Sequence, residues 1–271
     1  MIEIPSNASP KKQEKTASSE EIGMGELLVL GKVLERNIPQ VDSVLDLSHE
    51  DYGKLIKRIF GMAEDYLSEA FHNELTEKYE PPEIELFKKR AFTPQTREVT
   101  VPMYHNFKES FRTIYVPHQS LRPLEKDIGL KINIPGLSYI LLHEDGHDVQ
   151  VQLQLRAKSL TDEELFADYI AGMILGMRHR KSPIFEKGDL KTILKIVDIG
   201  GDDKASHAGG KDLKHPGTVD IVYKKRKATG KLRREAFLRG LKGGTLRDAI
   251  DRYIDYRVFD SKIVPKESIL K

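Results

Sequence analysis

The stretch SYILLHEDGHDVQVQLQ, residues 138–154, places His143 and His147 four residues apart with Glu144 between them, on a run of helical character. On a helix, residues i and i+4 share a face one turn apart, so the two imidazoles can offer nitrogens to one metal ion while Glu144 projects beside them. The pattern is short, and the same letters also occur as a solvated polar patch on ordinary helices. Pro135–Gly136 or Ser138 marks the start of this helix, which is expected to end near Ala157. Gly146 is expected to leave a bare surface near the metal.

The next segment, SLTDEELFADYIAGMILGMRHR (159–180), repeats Leu165, Tyr169, Met173 and Met177 every four positions and predicts a second, amphipathic helix. Glu164 and Asp168 share one of its faces. Packed antiparallel to the first helix, it can deliver the Glu164 carboxylate as a third ligand, and Asp168 can accept a hydrogen bond from the distal nitrogen of a ligand histidine. Three protein ligands with one position left open is the arrangement of a catalytic zinc site. Each acid has a second reading. Thr161–Glu164 fits a capping box with Thr161 as N-cap, and Asp168 equally reads as a surface charge.

Composition bounds the chemistry. The 271 residues are 32% charged and 39% hydrophobic, which suits one sizeable globular domain, with an added subdomain also compatible. Lysine and arginine number 44 against 42 acidic residues, so no global field calls for a nucleic-acid or membrane partner. The absence of cysteine excludes disulfides and thiolate ligands, leaving His, Asp and Glu to build any transition-metal site. No segment has the uninterrupted apolar run of a signal peptide or membrane anchor, so a soluble, cytoplasmic protein is expected.

Elsewhere the chain supplies scaffolding. Residues 1–22 are poor in apolar side chains and read as a flexible N-terminal tail. Helices are expected over 25–38 and 48–75, the second with Ser48 as N-cap, Asp51 at N3 and an apolar face of Tyr52, Leu55, Ile56, Ile59, Phe60, Ala63, Leu67 and Phe71. REVTVPMY (97–104) and SFRTIYVP (110–117) read as strands. TLRDAIDRYIDYRVF (245–259) reads as a closing core helix through Leu246, Ala249, Ile250, Tyr253 and Ile254. Lys224–Arg234 holds seven basic residues in eleven, but no aromatic interleaves to stack bases. It reads as a solvated face that can attract acidic segments of a protein substrate, and no nucleic acid is expected.

HEDGHDVQ (143–150) followed by ELFADYIAG (164–172) resembles the HExGHxVQ and ELxADxxAG pair of the bacterial neutral zinc metallopeptidase family, a gluzincin-type group. The likeness continues more loosely through HPGTVDIVYKKRKATGKLRREAFLRGLKGG (215–244), similar to the family's histidine, arginine-bearing helix and Phe-x-x-Gly. The resemblance implies an α+β, zincin-like fold, mostly helical, with a small mixed or antiparallel sheet beside the HExxH helix. It implies Zn2+ held by His143, His147 and Glu164, with Glu144 as the general base that activates a zinc-bound water for hydrolysis of a peptide or protein substrate. It further implies a substrate strand added at a sheet edge, for which SFRTIYVP is the candidate, and an oxyanion partner for which His215 is favoured over Tyr223 and His207. His215 also reads as a plain loop histidine before a proline.

On this reading 23–90 is an N-terminal helical region, 91–260 the metallopeptidase domain and 261–271 a C-terminal tail. The chain departs from the family in carrying Tyr169 where members have a cysteine, and its first hundred residues have no recognised counterpart. A second class of function stays in view: a regulatory protein of the same fold, either a narrow-specificity protease of one regulatory protein or a metal-binding scaffold without turnover. The intact Glu144 argues against the scaffold. Oligomeric state is left open.

Overall fold

Ser48 opens the first described helix, α1 (His49–Ala70), its hydroxyl accepting from Asp51 N–H at 3.0 Å, as expected for a serine N-cap. The computed structural model describes residues 41–88, 103–107, 111–181, 188–200 and 229–255. The expected helix over 25–38, both tails, and His207, His215 and Tyr223 lie outside these residues. Tyr52, Leu55, Ile56, Ile59, Ala63, Leu67 and Phe71 are buried along one face of α1 and the π-helical turn that continues it over Phe71–Leu75, while Phe60 is partly buried.

Three strands follow, β1 (Glu83–Phe87), β2 (Met103–Phe107) and β3 (Phe111–Pro117), in the order β1-β3-β2. β1 runs parallel to β3 and β2 antiparallel to it, so the sheet is mixed. This corrects the placing of SFRTIYVP at an edge: β3 is hydrogen-bonded on both sides, and its Ile114 and Val116 are fully buried. Of REVTVPMY, only Met103 and Tyr104 fall within the described residues, at the start of β2.

A short helix, α2 (Arg122–Ile128), leads to α3 (Ile134–Gln152), which carries the HEDGH stretch. Its cap is Asn133, whose side-chain oxygen accepts from Gly136 N–H at 3.0 Å. The helix ends five residues before the expected Ala157, where Gln154 adopts a left-handed φ of 51° and Leu155 N–H turns back to the Gln150 carbonyl.

α4 (Leu160–Lys181) is the centre of the molecule, in contact with α3, with α6 (Gly230–Leu241) and with α7 (Leu246–Tyr253). Every residue from Leu165 to Gly176 is buried, so α4 is enclosed on all sides and is not the amphipathic helix that its four-residue repeat suggested. α5 (Asp189–Gly200) packs across α3 and α6. Leu246, Ala249, Ile250 and Tyr253 bury the inner stripe of α7, as expected for a closing core helix.

Two glycine-mediated approaches set the helix positions. A Cβ on Gly146 of α3 would lie 2.7 Å from the Ala167 Cα of α4. The bare surface of Gly146 therefore faces the second helix instead of lying open beside a metal. At the crossing of α4 and α6, a Cβ on Gly172 would collide with the Phe237 carbonyl oxygen, and one on Gly240 with that of Tyr169. α3, α4 and α6 thus stand with their backbones almost in contact, and side chains from all three meet in one place.

Candidate metal centre

The meeting point lies one turn from Gly146. His143, His147 and Glu164 each present a donor atom within 4.8 Å of the other two. His143 Nε2 is 3.4 Å from Glu164 Oε2, and His147 Nε2 is 3.7 Å from Glu164 Oε1. The imidazoles come from successive turns of α3 and the carboxylate from the first turns of α4.

Glu164 is free for this position because another residue starts its helix. Ser159 Oγ accepts from Asp162 N–H at 3.1 Å and donates to the Asp162 carboxylate at 2.6 Å. The cap is therefore Ser159 with Asp162, and the capping-box reading of Thr161 with Glu164 is replaced.

Behind the two histidines, second contacts orient the rings. Asp168, one turn beyond Glu164, lies 2.9 Å from His143 Nδ1 through Oδ1, which directs His143 Nε2 toward Glu164. Asp168 is fully buried, which sets aside its reading as a surface charge. On the other ring, His147 Nδ1 is 3.3 Å from Gln150 Oε1. A proton on Nδ1 shared with that amide oxygen leaves Nε2 with its lone pair toward Glu164. Glu144 follows His143 on α3 and is half-buried.

Two participants were not singled out from the sequence. Tyr139, one turn before His143, donates its hydroxyl to Asp168 Oδ1 at 2.6 Å. Arg233 of α6 holds Asp168 Oδ2 through Nε at 2.7 Å and Oδ1 through Nη2 at 3.0 Å. Its Nη2 is also 3.4 Å from Glu164 Oε2, and Nη1 donates to the Gly200 carbonyl at 2.6 Å. Arg233 is 6% exposed, so this part of the basic run is not a solvated face. The periodicity of α6 held the signal, since Arg233, Ala236, Phe237 and Gly240 lie on one stripe and all are buried.

The charges interlock. Burial alone would raise the Asp168 carboxyl, yet the Arg233 and His143 charges hold it far below the usual carboxylate range. Glu164 behaves likewise: burial opposes ionisation, and His143, His147 and Arg233 bring it down to about 2. For His143, burial favours the neutral ring, but Asp168 and Glu164 reverse this and lift its pKa to about 10. The donor set is two imidazole nitrogens and one ionised carboxylate, with an oriented distal nitrogen on each ring and no thiolate. That set fits zinc in a three-ligand site with one open position.

The far side of α3 ties the helix to the sheet and to the segment that leads into β1. Arg112 of β3 pairs with Asp148 at 3.0 Å and donates to the Glu80 carbonyl at 2.7 Å, and the Tyr79 hydroxyl donates to Asp145 at 2.7 Å. Burial pushes the Asp145 carboxyl up to about 7.

In comparisons with known proteins, the family described as "Putative neutral zinc metallopeptidase" matches residues 24–248. No curated protein and no solved structure matches the chain. The match begins well before residue 100, so the first hundred residues do have a counterpart in the family from residue 24 onward. No helix among the described residues is long and apolar enough to cross a membrane.

Proposed function

The chain belongs to the neutral zinc metallopeptidase family, and on that premise we propose that it hydrolyses peptide bonds with a zinc ion held by His143, His147 and Glu164. The observation that carries the reading is the convergence of those three donors within 4.8 Å, backed by Asp168 on the other nitrogen of His143. Zinc bound there would act as a Lewis acid, lowering the pKa of water and polarising the scissile carbonyl.

The remaining work falls to the chain. Glu144, beside the ligands on α3, accepts the proton of the attacking water and hands it to the leaving amine. Asp168 keeps the His143 ring turned so that Nε2 faces the centre, and Arg233 and Tyr139 keep Asp168 in place. Peptide substrate adds to β2: it contacts α3 and, among the described residues, has β3 on one side and no strand on the other. His215 donates to the developing oxyanion, a role tested by loss of kcat at unchanged KM in His215→Ala.

The reading is tested by metal content and one substitution. Purified protein is expected to carry one zinc per chain and to cleave an unstructured protein such as casein. Glu144→Gln should keep the zinc and lose roughly 10²–10⁴-fold in rate, the range for removing a general base. Full activity in Glu144→Gln, or a wild type without zinc, rules this mechanism out.

A further inference from the structure

One guanidinium nitrogen stands among the atoms assigned to the metal. Arg233 Nη2 is 3.3 Å from His143 Nε2, 3.4 Å from Glu164 Oε2 and 3.0 Å from Asp168 Oδ1. It is held there. Nε grips Asp168 Oδ2 at 2.7 Å, Nη1 donates to the Gly200 carbonyl at 2.6 Å, and the α6 backbone is pressed against α4 at Gly172 and Gly240. With 6% of its surface exposed, the side chain has no short route into solvent.

Asp168 is fully buried and needs a positive partner, because a buried anion without one is strongly unfavourable, whereas the Glu164 side chain is 40% exposed and leans on the same cation less. Glu164 and Asp168 lie one turn apart on α4 and both make ion pairs with this guanidinium. A zinc ion among His143, His147 and Glu164 would supply positive charge to the same carboxylates, a few ångströms from Nη2. At that separation, inside a protein, cation repels cation appreciably.

Taking the zinc-peptidase reading of the site as its basis, we infer that Arg233 is a resident counter-cation of the metal-free centre, and that guanidinium and metal weaken each other's hold because they compensate the same carboxylate charge. Two consequences follow. The pocket keeps its shape without metal, since its anions are already paired. Zinc binds less tightly than the three donors alone would allow, and by linkage the antagonism is reciprocal.

The test compares wild type with Arg233→Met, which keeps an apolar stem and removes the charge, and Arg233→Lys, which keeps the charge without the fork. Zinc affinity is read by competition with a chromophoric chelator, and Tm is measured with and without zinc. Arg233→Met is expected to lower the Tm of the zinc-free protein far more than that of the zinc-saturated protein, and to bind zinc roughly tenfold more tightly. Arg233→Lys should move both values back toward wild type.

Equal Tm losses in the two states, or weaker zinc binding in Arg233→Met, overturn the inference and leave Arg233 as a residue that only packs and orients Asp168. If Arg233→Met does not fold without metal, refolding in zinc should recover it; a variant unfolded in both states also overturns the inference. Either adverse result, with stoichiometric zinc and activity in the wild type, leaves the peptidase reading standing. A wild type that binds no zinc removes both.

Discussion

Asp168 is fully buried and keeps its charge among the Arg233 fork, the Tyr139 hydroxyl and a ring nitrogen of His143. Its influence on a zinc ion held at the centre would run through His143, whose ring it turns and whose basicity it raises. Asp168→Asn preserves the shape and removes the charge, and is expected to weaken zinc binding by about 10–100-fold, the usual effect of such outer partners. Chelator competition on the purified variant reads this directly, and an unchanged affinity would show that His143 is positioned without Asp168. A second prediction concerns His118, which is 1% exposed, stacks on Tyr52 at 4.2 Å between ring centroids and, among the described residues, has no hydrogen-bond partner for either ring nitrogen. Burial, then the nearby charges of His49, Arg122 and Lys88, lowers its pKa from 6.5 to about 4. Between those values the unfolded chain binds the proton and the folded chain does not. Stability contributed by neutral His118 is therefore present above about pH 6.5 and is lost as pH falls toward 4, by up to about 3 kcal/mol. Tm measured from pH 7 to pH 4 should drop less steeply in His118→Phe, which retains the stack, and parallel curves for the two proteins would refute the assignment.

At the scale of the elements, the site depends on how closely α3 and α4 approach. Gly146 sets that distance, because any Cβ there meets the Ala167 backbone, which cannot rotate away as a side chain would. Gly146→Ala is expected to separate the helices, costing about 1–3 kcal/mol as overpacking does. Glu164 would also withdraw from the histidines, so Tm and zinc affinity should fall together, and a fall in Tm alone would mean that the strain is absorbed elsewhere. The sequence showed the existence of α1, α3, α4 and α7, because each carries a long helical pattern, and it showed the i, i+4 relation of His143 to His147 and of Glu164 to Asp168. It did not show how α4 is surrounded. Alternating stripes distinguish one buried face from one wet face, whereas a helix buried from Leu165 to Gly176 has only buried faces. Thr161 with Glu164 fits a capping box in sequence as well as Ser159 with Asp162 does, so the local pattern does not separate the two caps. The charge of Arg233 and its basic neighbours point to solvent, whereas its stripe, shared with Phe237 and Gly240, points inward. The order β1-β3-β2 was not legible either, since strand order is decided by long-range pairing that no local pattern records.

Among the described residues, a single apolar cluster runs from Val44 to Ile254 and joins α1, the sheet and helices α3 to α7. The candidate centre adjoins this cluster, and none of its three ligands belongs to it. Small domains that lack such a core use metal as their core and unfold without it. Here the buried side chains of α1, α3 and α4 pack without help from a ligand, and Asp145 and Asp148 join α3 to the segment before β1 through Tyr79 and to β3 through Arg112. Removing zinc with a chelator is therefore expected to leave the far-UV circular dichroism unchanged and to preserve one cooperative thermal transition. The transition should shift downward by the binding term alone, about 2.7 kcal/mol when zinc had been present at one hundred times its Kd. Returning zinc should restore both Tm and peptide hydrolysis without a refolding step. Loss of helical signal on chelation would mean that the metal holds the helices together, and that the apolar contacts of α4 with α3 and α6 are insufficient by themselves.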